Sequence, residues 1–231
     1  MIAHRGLHAG APENSLGAIA AALAAGIDRV EVDVRLTRDG HLVLLHDPVV
    51  DRVTTGSGSI ARLTLAEVAR LRLADGSGLV RLEEALDACR GRAVLCIDTK
   101  DAEGGPPLLR ALTGREGDVQ VWSLHRPVAA LLASAGVTTA VIANGVLPQG
   151  IGEFSWRARS AGAWGVSFFP ADLERHVAAA CANAGLAVLC GTPNDMRTWT
   201  YLREVGVSGI ITDRPLGLRS WLHGPGRRGV G

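Results

Sequence analysis

Residues 30–47 read VEVDVRLTRDGHLVLLHD. Val30, Val32 and Val34 alternate with Glu31, Asp33 and Arg35, the period-2 pattern of a strand. Glu31 and Asp33 therefore share one face. Asp39-Gly40 is a two-residue hairpin signal. It predicts that Arg38 pairs with His41 and that Asp33 stands opposite His46, with Cβ atoms about 5 Å apart. Leu42–His46 is then an antiparallel arm on the preceding strand, since a parallel crossover needs a dozen or more residues. Two carboxylates and an imidazole gather at one place. Side-by-side carboxylates repel, more so when buried, and a hard divalent cation is the usual remedy. A solvated hairpin edge would account for Arg35, Arg38 and Asp39, but not for acids at the centre of a Val- and Leu-rich strand.

Outward from this hairpin, short apolar runs alternate with Ala- and Leu-rich helical patterns. Strands are expected at Met1–His4, Arg29–Arg35, Ala93–Thr99, Val119–Ser123, Thr139–Ile142, Gly165–Ser167, Ala187–Cys190 and Gly209–Thr212. Helices are expected near 14–25, 82–90, 107–112, 127–135, 154–161, 173–184, 195–205 and 215–222, with a short extra one near 65–73. Asn14, Asp172 and Asn194 read as N-caps, Pro127 and Pro215 as first-turn prolines, and Gly26, Gly136, Gly162, Gly185 and Gly206 as C-terminal stops. Eight such units without a break imply a (β/α)8 TIM barrel, with a β-hairpin arm and a short helix inserted after the second strand. Residues 1–223 would form one domain and 224–231 a flexible tail. A doubly wound sheet would call for a glycine-rich phosphate loop, and none is present.

At 231 residues the chain can bury a sizeable core. A net charge of +1 without charge runs argues against nucleic acid and polybasic membrane surfaces. There is no signal-peptide pattern and no apolar stretch of spanning length, so no membrane anchor is expected. The four cysteines lack CxxC spacing; Cys96 and Cys190 read as small buried residues, and a reducing cytoplasmic setting follows.

In such a barrel the active site lies at the C-terminal ends of the strands. Those ends carry His4-Arg5, Glu31 and Asp33, His46-Asp47, Asp98-Thr99-Lys100, Ser123 and Asp213. Glu31, Asp33 and Asp98 suit Mg2+ or Ca2+ better than zinc. Arg5 and Lys100 suit a phosphate, and His4 and His46 can trade protons near neutral pH. The set describes chemistry at a phosphodiester. Taken alone, His4 is more often a structural histidine and Asp98 a loop cap. Asp213 reads as closing the barrel beside Arg214-Pro215, and His8, His41, His125, His176 and His223 as surface or loop residues.

AHRG at 3–6, PENS at 12–15, EVDVRLTRDG at 31–40, HD at 46–47, TTGSG at 54–58, DTK at 98–100 and GIITDRP at 209–215 resemble the glycerophosphodiester phosphodiesterase family, in its order and over nearly the whole chain. The resemblance implies a TIM barrel, a divalent metal, and hydrolysis of a glycerophosphodiester to an alcohol and glycerol 3-phosphate. It makes His4 and His46 the acid/base pair, Arg5 and Lys100 the phosphate ligands, and Glu31 and Asp33 metal ligands. The third metal ligand is usually Glu; here it is Asp98. Gly191-Thr192-Pro193-Asn194 stands where the family usually has Trp-Thr-Val-Asn, which removes an aromatic wall, and Ser123-Leu124 replaces Ser-Phe. Ser123, Phe168, Phe169 and Gly191 are the expected substrate-pocket positions, the two phenylalanines either refilling the pocket or belonging to the core. The same chemistry on a lysophospholipid or another phosphodiester, and a non-catalytic phosphate-binding barrel, are the alternatives.

Overall fold

A computed structural model describes residues 1–145 and 148–224. Its strands are β1 (Ile2–Ala3), β2 (Arg29–Leu36), β3 (Leu42–Leu44), β4 (Val94–Thr99), β5 (Val119–Ser123), β6 (Thr138–Ile142), β7 (Gly165–Phe168), β8 (Ala187–Gly191) and β9 (Gly209–Thr212). Its α-helices are α1 (Leu16–Ala24), α2 (Leu65–Val68), α3 (Leu82–Cys89), α4 (Gly105–Leu112), α5 (Arg126–Ser134), α6 (Ile151–Ser160), α7 (Arg175–Asn183), α8 (Met196–Val205) and α9 (Pro215–His223). Neighbours run β1-β9-β8-β7-β6-β5-β4-β2, and β1 also pairs with β2, so eight parallel strands close on themselves. This is the (β/α)8 TIM barrel, with β3 antiparallel on β2 as the arm. Residues 225–231, most of the expected tail, lie outside the described residues.

Strand alternation divides the side chains into two layers. Val30, Val32, Val34, Leu95, Ile97, Val119 and Val121 face outward against α1, α3 and α4, while Val166, Phe168, Val188 and Cys190 do so on the other half. Ile2, Cys96, Trp122, Ala140, Leu189 and Ile211 fill the barrel interior. All four cysteines are free and buried. The expected terminal glycines hold: Gly26, Gly136, Gly162, Gly185 and Gly206 all have positive φ.

The hairpin register differs by one residue from the expected one. Val34 pairs with Leu44 and Leu36 with Leu42, and the Leu45 N–H donates to the Asp33 carbonyl. Asp33 therefore faces Leu45, not His46. A two-residue turn of the expected kind needs positive φ at both central residues. Here only Gly40 has it, at +81°, and the turn widens to carry an extra residue. All three expected N-caps also move. Ser15 caps α1 and Asp195 caps α8 through their side chains, and a 3-10 turn over Pro170–Asp172 takes up Asp172, so Glu174 precedes α7. Asn14 and Asn194 serve the active face instead.

Candidate active site

The first loop sets the geometry. Arg5 and Gly6 both have positive φ, 53° and 81°. A Cβ on Gly6 would lie 2.8 Å from Ala18 of α1, so only glycine fits there. This bend turns the Arg5 backbone N–H onto Glu31 Oε2 at 2.8 Å and lays Arg5 Nε 2.9 Å from Asp33 Oδ2. Glu31, Asp33 and Asp98 come together through register, since β2 and β4 pair Asp33 with Asp98. Their carboxylate oxygens fall within 4.8 Å of one another. The three expected metal ligands are thus one cluster.

Lys100 lies 2.8 Å from Asp33 Oδ1 and 2.5 Å from Asp98 Oδ2. Asn14, expected as an N-cap, joins the cluster instead: its amide donates to Asp33 Oδ2 at 2.9 Å and its carbonyl oxygen accepts from the Asp33 N–H at 3.0 Å. Burial works against ionising Asp33, but Lys100 and Arg5 outweigh it and hold its carboxyl below the usual range. For Glu31 the help from His4 and Lys100 is not enough. Burial and the neighbouring Asp33 push it up to about 8. Burial likewise raises Asp98, whose Oδ1 is buried without a hydrogen-bond partner. An orphaned acceptor beside two more carboxylates, one of them forced toward its neutral form, is the donor set of a hard divalent cation. The residues fit one.

His4 and His46 are built alike. His4 Nδ1 bonds to Asp213 Oδ1 at 2.6 Å, and His46 Nδ1 to Asp47 Oδ1 at 2.7 Å. In each the carboxylate holds the Nδ1 proton and leaves Nε2 for other work. Burial lowers the His4 pKa, but Asp213 and Glu31 outweigh it and raise it above the usual imidazole value. Asp213 is pulled below the carboxylate range, first by that hydrogen bond. Its other oxygen accepts from Asn194 at 2.6 Å, and Asn194 Oδ1 accepts in turn from Thr212 Oγ1 and the Asp213 N–H. His8, expected at the surface, is half-buried and bonds to the same Asp213 oxygen at 3.1 Å. On the far side Arg35 donates to the His46 carbonyl at 2.7 Å and pairs with Asp101. Arg52 draws the Asp47 carboxyl down to about 2 and links it through Glu13 to Arg5.

A cavity of about 170 Å³ opens over this cluster, bordered by His4, Arg5, Glu31, Asp33, His46, Asp98 and Lys100. Of the expected pocket residues, Phe168, Phe169 and Gly191 border it, but Ser123 does not. Ser123 is fully buried on the helix-facing side of β5, where its hydroxyl accepts from the His125 N–H. Its neighbour Trp122 has the inward parity and lines the cavity. The register Asp98↔Trp122 was the available signal. Phe168 packs outward against Phe154, ring centroids 6.3 Å apart, while Phe169 stands at the rim, 47% exposed. A Cβ on Gly191 would lie 3.0 Å from both Cβ and Cδ1 of Ile211.

Residues 4–103 match the profile of the Glycerophosphoryl diester phosphodiesterase family. The "Probable glycerophosphodiester phosphodiesterase 1" of Mycobacterium tuberculosis is 31% identical over 258 aligned positions, covering 96% of this chain and 92% of that protein. The glycerophosphodiester phosphodiesterase of Caldanaerobacter subterraneus is 48% identical over 71 residues, 31% of this chain and 29% of that one. A phosphodiesterase of Oleispira antarctica, solved in complex with the product sn-glycerol-3-phosphate, superimposes with a TM-score of 0.86 at 24% identity, over 96% of this chain and 95% of that one. The last likeness speaks for the fold, and the likeness to the Mycobacterium tuberculosis protein reaches across nearly the whole sequence. The chain belongs to the glycerophosphoryl diester phosphodiesterase family of hydrolases.

Proposed function

We propose that this chain hydrolyses glycerophosphodiesters to an alcohol and glycerol 3-phosphate, with a divalent metal and with His4 and His46 as the acid/base pair. One observation carries the reading: two imidazoles, each with Nδ1 tied to a carboxylate, border the same small cavity as a three-carboxylate cluster. In the reaction the phosphorus–oxygen bond to the alcohol breaks and a water oxygen takes its place. One imidazole accepts the proton of the attacking oxygen, and the other gives a proton to the departing alcohol oxygen. Asp213 and Asp47 hold the two rings in the tautomer and orientation this needs.

Glu31, Asp33 and Asp98 would hold Mg2+ or Ca2+, which supplies charge stabilisation at the phosphoryl oxygens. Arg5 and Lys100 border the same cavity, paired with those carboxylates, and would bind the phosphate there. The ligand we propose is a small-molecule diester, and no helix among the described residues is long and apolar enough to cross a membrane. We place the domain at 1–223 and the enzyme in the cytoplasm. The test is release of glycerol 3-phosphate from a panel of glycerophosphodiesters with Mg2+, Ca2+ or Mn2+. Release that needs both metal and His46 supports the reading. Absence of release from every diester overturns it.

A further inference from the structure

At about 170 Å³ the catalytic cavity is smaller than the roughly 300–1,000 Å³ usual for small-molecule sites. Part of a diester must lie beyond it. A second, larger cavity of about 380 Å³ adjoins it, and Ile142 at the end of β6 borders both. Its floor is apolar, from Leu124, Val141 and Phe154, and its rim carries Arg126, Glu153 and Arg157. Glu153 is already paired with Arg157 one turn along α6. Arg126 has no ion-pair or hydrogen-bond partner among the described residues, so the cavity holds one unpaired positive charge. Arg126 opens α5, and Gly150, the residue before α6, also lines the cavity. The N-terminus of α5 thus adds positive partial charge to the same space. The loop is anchored to the reaction centre as well: His125, between Leu124 and Arg126, bonds through Nε2 to the Lys100 carbonyl at 3.2 Å.

We propose that this second cavity receives the departing alcohol group and that Arg126 makes it selective for alcohols carrying an anion. The inference rests on the diesterase reading above and names its substrate class. A cationic alcohol such as choline meets an unpaired guanidinium there, which disfavours it. A phosphorylated or carboxylated alcohol gains a charge-assisted hydrogen bond.

The experiment compares glycerophosphoinositol with glycerophosphoinositol 4-phosphate, which differ by one anionic group. In the wild type kcat/KM should favour the phosphorylated diester about tenfold, mostly through KM. In Arg126→Ala that ratio should fall toward one, and Arg126→Lys should restore part of it. Equal kcat/KM for both diesters in the wild type, or a preference that survives Arg126→Ala, overturns the inference. Calorimetric titration with inositol 4-phosphate separates this from failure of the diesterase reading, since it needs no turnover. Binding weakened about tenfold by Arg126→Ala upholds the subsite even in a chain that hydrolyses nothing. Identical binding by both proteins overturns it.

Discussion

His4 and Asp213 stand 209 positions apart in the chain and meet in a 2.6 Å hydrogen bond, one following the first barrel strand and the other the last. Asp213 orients His4 and holds its proton. Asp213→Asn should therefore lower kcat about tenfold to a hundredfold with little change in KM. It should also shift the ascending or descending limb of the pH–rate profile that reports His4 toward lower pH, because the group raising its pKa is gone. An unshifted profile would reduce Asp213 to barrel closure.

His4→Ala and His46→Ala should each cost about 10²–10⁴-fold in turnover, the usual contribution of a placed acid or base. Circular dichroism should show the barrel intact in both. A near-normal rate in either variant removes that imidazole from the acid/base pair.

Metal dependence has a signature apart from rate. The Glu31 carboxyl is pushed from 4.5 to about 8 in the folded chain, by burial first and Asp33 second. The folded state thus binds more protons than the unfolded one between those values, so stability should fall as pH rises from about 4.5 to about 8. His4 acts in the same direction, its contribution complete below 6.5 and lost as pH rises through its raised folded value. In EDTA the melting temperature should decline across this window. Saturating Mg2+ or Ca2+ should flatten the decline, because a bound cation keeps the carboxylates ionised at no cost. A flat profile in EDTA would contradict the carboxylate assignment, as would full turnover in excess chelator.

The adjacent phenylalanines should respond oppositely to truncation. Phe168→Ala removes an outward-packed ring and should cost about 3–5 kcal/mol of stability. Phe169→Ala, at the exposed rim, should change stability by no more than about 0.5 kcal/mol and act on KM. Denaturant titration beside steady-state kinetics reads both effects.

Gly191 answers to Ile211. Gly191→Ala should destabilise the barrel by about 1–3 kcal/mol, the usual cost of overpacking. Adding Ile211→Val should recover much of the loss. Restoring a bulky aromatic at position 191 is therefore expected to disturb folding before it tightens any substrate. A stable, fully active Gly191→Trp would show that Ile211 yields more readily than its contacts suggest.

The fold was legible because its signals are local and repeated: apolar strands, terminal glycines and one hairpin. The carboxylate cluster was legible for the same reason, since period 2 fixes Glu31 and Asp33 on one face and DTK follows a strand. What escaped depends on contacts between distant segments. Asn14 and Asn194 carry the right chemistry for a helix cap, and only the folded chain shows that their amides reach Asp33 and Asp213 instead. His8 looked like a loop residue because nothing near it in sequence reveals Asp213. Ser123 follows from its place at a strand end and in a motif, whereas facing in a sheet is a matter of parity with Asp98 across β4 and β5, which puts Trp122 inward. The hairpin slipped by one residue because Asp-Gly serves both a two-residue turn and a wider one with glycine alone left-handed.

The two-residue strand β1 has a kinetic consequence. It is wedged between β2 and β9, and His4 leaves it directly toward a partner that the ribosome delivers 209 residues later. Until the last strand docks, the imidazole has no carboxylate to orient it, however complete the other seven units are. Proton transfer is thereby timed to closure of the ring. During refolding, recovered turnover should trail recovered helical signal, and the lag would clock the final seam.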